Sequence, residues 1–253
     1  MNTQPVSRGT LQFTLWGIPI TIRPSIWIVL ALLGGAFRIN DGSDLKEVAI
    51  FVVAGVLCLL AHELGHALTG RSFTGTTPTI TLMMMCGLTE LPIAPRTRAQ
   101  LFLYFIAGPL AGLVPGVIAA LLLGLQLGNI GAGVTFFLLS PFGAEEAMPQ
   151  THFMSLLTAL HNGTLSFTML QIYGTFVLIS VWWALFNLLP ILPLDGGKLL
   201  GTITNNIKRT AMVGMLLAGV LALVSIAINQ WFTMVLLGYF AYINWQIFRY
   251  ENE

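Results

Sequence analysis

Between Val48 and Leu68 the chain is apolar almost throughout, and a hydrophobic stretch of that length is a candidate membrane span. Into it are set His62, Glu63 and His66. Three ionisable side chains inside a hydrophobic helix cost several kcal/mol unless a metal or polar partners satisfy them, so this placement marks a functional site. In a helix, residues four apart share a face, so His62 and His66 can offer both imidazoles to one metal ion. Glu63, beside them, can take a proton from a water held there.

Composition agrees with the membrane reading. The chain has 253 residues, of which 56% are hydrophobic and only 8% charged, and its mean hydropathy is +0.83, values foreign to a soluble domain of this length. A formal charge of +1 gives no surface for nucleic acid. Cys58 and Cys86 cannot build a disulfide framework and are expected as reduced thiols in apolar surroundings. Leu11 to Ile22 is interrupted by Gly17 and Pro19, so no cleavable signal peptide is expected.

The fold class expected is a mainly α membrane protein: a polytopic bundle of about six transmembrane helices with short β-strands. Helical spans are predicted at 25–38, 48–69, 100–125, 167–189, 209–228 and 231–248. Alternation through Leu11, Phe13 and Leu15, then Ile20 and Ile22, around Gly17 and Pro19, predicts a hairpin before the first span. Thr74 to Leu91 is rich in β-branched and apolar residues and predicts one or two strands, which must be paired inside a protein-lined cavity or at the interface. Met83, Met84 and Met85 read as part of that greasy strand. In 126–170, Phe153, Leu156, Leu157 and Leu160 recur at helical spacing up to Asn162-Gly163, predicting an amphipathic surface helix. His152 and His161 there read as ordinary solvated or interfacial histidines, and Asn162-Gly163-Thr164 as a weak glycosylation pattern. We read 1–253 as a single integral membrane domain, with a core of about 11–204 and C-terminal helices at about 209–248.

Basic residues orient the spans. Arg8, Arg23, Arg71, Arg96, Arg98, Lys198, Lys208, Arg209 and Arg249 fall on one side, against Arg38 and Lys46 on the other, a bias of nine to two. The positive-inside rule then puts both termini and the active-site side in the cytoplasm.

Two histidines leave a tetrahedral zinc in need of another protein ligand, and the candidates are Cys58, Glu90, Asp195 or a distant His. Cys58 lies about 12 Å of helix rise from His66, at 1.5 Å per residue, which a thiol cannot bridge. Glu90 reads as solvated or substrate-facing. Asp195 is the best placed: it ends Asn187-Leu-Leu-Pro-Ile-Leu-Pro-Leu-Asp, where two prolines break the helix and Gly196-Gly197 allow close backbone approach.

With these motifs the chain resembles the site-2 protease family of intramembrane metalloproteases, in a minimal form without PDZ or CBS domain. Its paired signatures are HExxH on one span, matched by His62, Glu63 and His66, and a later Asn, Pro, Leu-Asp-Gly motif, matched by Asn187, Pro190, Pro193, Leu194, Asp195 and Gly196. The resemblance implies Zn2+ held by His62, His66 and Asp195, with Glu63 as the catalytic carboxylate and Asn187 in contact with substrate or oxyanion. It covers roughly Leu11 to Thr204, including Gly108-Pro109. Where many relatives carry an Asn, this chain has Gly112; with Gly108 and Gly116 it makes a small-residue face suited to close helix packing.

The function expected is an intramembrane zinc metalloprotease that hydrolyses a peptide bond within or near a transmembrane helix. Its partners are then a transmembrane protein substrate and the lipid bilayer, with a regulatory membrane partner or homo-oligomer as further candidates, and its setting a bacterial or archaeal cell membrane. A helical substrate must unwind before its carbonyls can be attacked, and strand addition to the Thr74–Leu91 region, around Ile80 and Leu82, would replace the lost hydrogen bonds. The alternative from another class is a non-proteolytic metal-binding regulator or an ion transporter. Glu63 argues for hydrolysis, and no inverted repeat supports transport.

Overall fold

The computed structural model describes residues 9–84 and 86–250. Arg8 and Met85 lie outside the described residues, as does the side chain of Cys86.

The chain opens with the expected hairpin, β1 (Leu11–Leu15) and β2 (Ile18–Ile22). Its two-residue turn puts Trp16 at φ 52 and Gly17 at φ 78, a left-handed pair that matches the right-handed twist of the strands. After Thr74 come β3 (Thr79–Met83) and β4 (Cys86–Glu90). All four strands join one sheet in the order β1-β2-β3-β4, with β2 and β3 parallel and the outer pairs antiparallel. Alternation puts Ile18, Ile20 and Ile22 of β2 and Ile80 and Leu82 of β3 in one buried cluster with Ile26, Leu59 and Ala67.

The helices are α1 (Pro24–Leu33), α2 (Gly42–Thr74), α3 (Arg98–Gly112), α4 (Val114–Gln126), α5 (Ile130–Leu139), α6 (Gln150–His161), α7 (Phe167–Asn187), α8 (Asp195–Thr204), α9 (Ile207–Ala227) and α10 (Trp231–Tyr250). The long helix α2 is fixed at both ends. Asp41 accepts hydrogen bonds from the Ser43 and Asp44 backbone amides, and Gly75 closes the far end in the left-handed conformation. The Ser43 hydroxyl, with those two amides, holds the exposed Asp41 carboxyl below its ordinary range.

Among the described residues, four helical stretches are long and apolar enough to cross a membrane: 42–74, 98–126, 167–187 and 207–227. They turn Leu57, Ile118, Leu122, Leu185, Leu216 and Leu223 outward, as lipid-facing helices do. Of the six spans expected, four meet both criteria. The first fails on length, because ten residues of α1 rise only about 15 Å against a hydrocarbon core of about 30 Å. The last, α10, has 20 residues, but Thr233, Asn244 and Gln246 dilute its hydropathy. The 100–125 span is two helices that meet at Leu113, with Pro109 inside α3 and Pro115 in the first turn of α4.

Segment 126–170 holds an apolar helix, α5, that the amphipathic pattern did not reveal. Its Phe136 packs with Leu123 of α4, Leu156 of α6 and Val177 of α7. In α6, Leu156 and Ala159 are buried while Phe153 and Leu157 stay exposed.

Candidate active site

The buried half of α2 carries His62, Glu63 and His66, 3%, 5% and 5% exposed, and α8 begins with Asp195, 4% exposed. Both prolines of the expected broken stretch lie in the connection from α7 to α8, and the turn they make delivers Asp195 to the face of α2. The Nε2 atoms of His62 and His66 are 3.2 Å apart, and each lies 3.0 Å from Asp195 Oδ2. The three residues are the group, among the described residues, that could hold a metal ion.

The protonation pattern implied by the partners fits a cation. His66 Nδ1 is 2.7 Å from the Tyr104 carbonyl, which can only accept, so Nδ1 carries the hydrogen and Nε2 presents a lone pair. That lone pair faces a carboxylate oxygen and a second imidazole nitrogen. His62 Nδ1 has no hydrogen-bond partner, so nothing on that side competes for the ring. Two nitrogens and one oxygen aimed at one buried point are a donor set suited to zinc, whose catalytic sites use three such ligands and keep a position open.

The Lys198 ammonium lies 3.2 Å from Asp195 Oδ1 and favours the charged form of the carboxyl. Lys198 also sits 5.6 Å over the Phe105 ring. Asp195 is therefore an anion offering Oδ2 to the cluster.

Glu63 points beside this cluster, with Oε1 4.0 Å from His62 Nε2. Its Oε2 accepts a 2.7 Å hydrogen bond from Thr89 Oγ1 on β4, and Tyr104 Oη reaches the Thr89 carbonyl at 3.5 Å. Two glycines make room. A Cβ at Gly87 would overlap the Glu63 side chain, and one at Gly108 would overlap the His66 ring. The small-residue face of Gly108, Gly112 and Gly116 thus packs on His66, His62 and Ser180 respectively.

The model of Peptidase family M50 matches residues 50–228. The chain belongs to peptidase family M50, the site-2 protease family. A candidate zinc metalloprotease of Synechocystis sp. is 29% identical over 220 residues, covering 81% of this chain and 46% of the relative. The chain therefore spans about half the length of the curated relative it matches. A site-2 protease from Methanocaldococcus jannaschii shares the fold at a TM-score of 0.58 and 18% identity, covering 94% of this chain and 95% of that one.

Other residues expected at the site of this M50 chain have partners of their own. Asn187 ends α7, half-buried, and donates its side-chain amide to the Trp183 carbonyl at 2.9 Å. Ile80 and Leu82 are buried in β3, whose two flanks are already paired. The flank left free on this side of the sheet belongs to β4. Glu90, at the end of β4, is exposed, and Cys58 is a buried free thiol 3.3 Å from Ser180 Oγ. Thr89, Lys198 and the Tyr104 carbonyl were not expected. No motif marks them, because each acts through tertiary contact.

Proposed function

We propose that this chain is an intramembrane zinc metalloendopeptidase that hydrolyses a peptide bond within or near a transmembrane helix of a membrane-protein substrate. The observation that carries the reading is the convergence of His62, His66 and Asp195 on one buried point with the Glu63 carboxylate beside it. Membership of family M50 supports it. Ligands drawn from α2 and α8 are separated by 129 residues or more in sequence, so the centre exists only in the folded bundle.

His62, His66 and Asp195 would hold zinc, which supplies a Lewis acid that polarises the scissile carbonyl and lowers the pKa of a water toward about 7. Glu63 takes a proton from the attacking water as its oxygen bonds to the carbonyl carbon, then returns that proton to the amine nitrogen as the C–N bond breaks. The Thr89 hydroxyl ties down Oε2 and leaves Oε1 on the side of the histidines. His66 is held in orientation by the Tyr104 carbonyl.

The substrate arrives with its carbonyls hydrogen-bonded in a helix, and the β4 edge offers replacement partners beside Glu63. Asn187 is retained as a contact for substrate or oxyanion. The basic residues favour a cytoplasmic face for the site. Zinc analysis together with cleavage of a labelled transmembrane peptide tests the reading: wild type binds zinc and cleaves, and absence of zinc or of cleavage in folded wild-type protein overturns it.

A further inference from the structure

The connection from α7 to α8 is irregular backbone in a membrane protein, and Pro190 and Pro193 within it have no N–H to donate. Unsatisfied backbone there costs several kcal/mol per group away from water, so the connection needs partners from elsewhere. Leu192 finds both of its own on one residue. Asn244 of α10 donates from Nδ2 to the Leu192 carbonyl at 2.7 Å and accepts from the Leu192 N–H at Oδ1, 3.3 Å away. Asn244 is fully buried, at 0% exposure, and its Nδ2 also reaches the Phe240 carbonyl one turn back.

The surroundings are shaped to that contact. A Cβ on Gly214 of α9 would overlap Asn244 Oδ1 and lie 3.3 Å from Ile191 Cα. Ile191 is buried with Ala218 of α9 and Leu237 of α10. From Leu192 the chain runs through Pro193 and Leu194, the residue that precedes α8, directly into Asp195. A two-sided grip on the Leu192 peptide therefore sets where α8 starts and where Oδ2 points. The match to family M50 ends at residue 228, before α10 begins at Trp231.

We propose that Asn244 is a positioning residue for the metal centre: α10 holds the Asp195-bearing connection in register with His62 and His66 through the Leu192 peptide. The inference rests on the reading that those three side chains hold zinc. Partners of this kind, one step behind the ligands, change metal affinity by about 10–100-fold when removed.

The test is zinc affinity of purified full-length protein in detergent, measured by competition with a chelator, alongside the thermal stability of the metal-free protein. Asn244→Ala is expected to bind zinc about 10–100-fold more weakly than wild type. Gly214→Ala, which keeps the amide but crowds it, is expected to weaken binding in the same direction. Leu237→Ala loosens the same packing without touching the Leu192 bonds, and is expected to lower thermal stability at wild-type zinc affinity. Wild-type affinity in folded Asn244→Ala overturns the proposal, and so does equal weakening in Leu237→Ala. If Asn244→Ala does not fold, Gly214→Ala decides by the same criterion. Wild-type protein that binds no zinc at all would instead sink the metal-site reading itself.

Discussion

Thr89 on the edge strand β4 hydrogen-bonds Glu63 on α2, Oγ1 to Oε2, at 2.7 Å, and the same hydroxyl lies 3.1 Å from the Glu63 backbone carbonyl. The strand that borders the open flank of the sheet is thereby tied to the carboxylate proposed as the base. A hydrogen bond to a charged group contributes about 1.5–3 kcal/mol. Thr89→Val is expected to lower kcat by roughly ten- to a hundredfold with KM little changed, and Thr89→Ser to restore it, because the hydroxyl is the working part. Steady-state kinetics on all three proteins check this; equal activity in Thr89→Val would remove Thr89 from the account.

Glu63→Gln keeps the size of the side chain and removes the base. General-base catalysis contributes about 10²–10⁴-fold, so cleavage should fall by at least that while zinc content stays at the wild-type level. Metal analysis and peptide cleavage on the same preparation separate the two effects, and retained turnover would defeat the assignment.

The two glycines that face the site separate binding from chemistry in another way. Gly108→Ala pushes a methyl into the His66 ring, and Gly87→Ala pushes one into Glu63; overpacking of this kind costs about 1–3 kcal/mol. Gly108→Ala is expected to lose zinc affinity, whereas Gly87→Ala is expected to keep zinc and lose turnover. Zinc titration of both variants checks the contrast, and identical behaviour would contradict the placement of the His66 ring and the Glu63 carboxylate against these glycines.

Strand addition at β4 can be probed from the substrate side. N-methylation of a substrate amide that pairs with β4 removes one hydrogen bond, a change of about 0.5–1.5 kcal/mol, and should raise KM about two- to tenfold in a kinetic series of methylated peptides. A series with unchanged KM would place substrate elsewhere.

The centre was legible where its chemistry has a short period. His62 and His66 sit one helical turn apart, so their shared face follows from the sequence, and the two prolines before Asp195 announce a broken helix. What escaped reading depends on distant contacts. The Tyr104 carbonyl that orients His66 belongs to backbone and has no residue signature. Thr89 resembles any strand threonine until β4 is laid against α2. Helix α5 was missed because Ile130 to Leu139 packs on α4 and carries no polar stripe to mark its period. Two of the six expected spans, α1 and α10, do not meet the length and composition of a span, the first for its ten residues and the second for its polar side chains.

On the proposed reading, Asp195 joins His62 and His66 in holding one zinc ion. Zinc content per chain, measured on purified wild type and on Asp195→Ala, tests it most directly. The account predicts about one zinc in wild type and a small fraction of that in Asp195→Ala. Equal zinc content in the two proteins would contradict it.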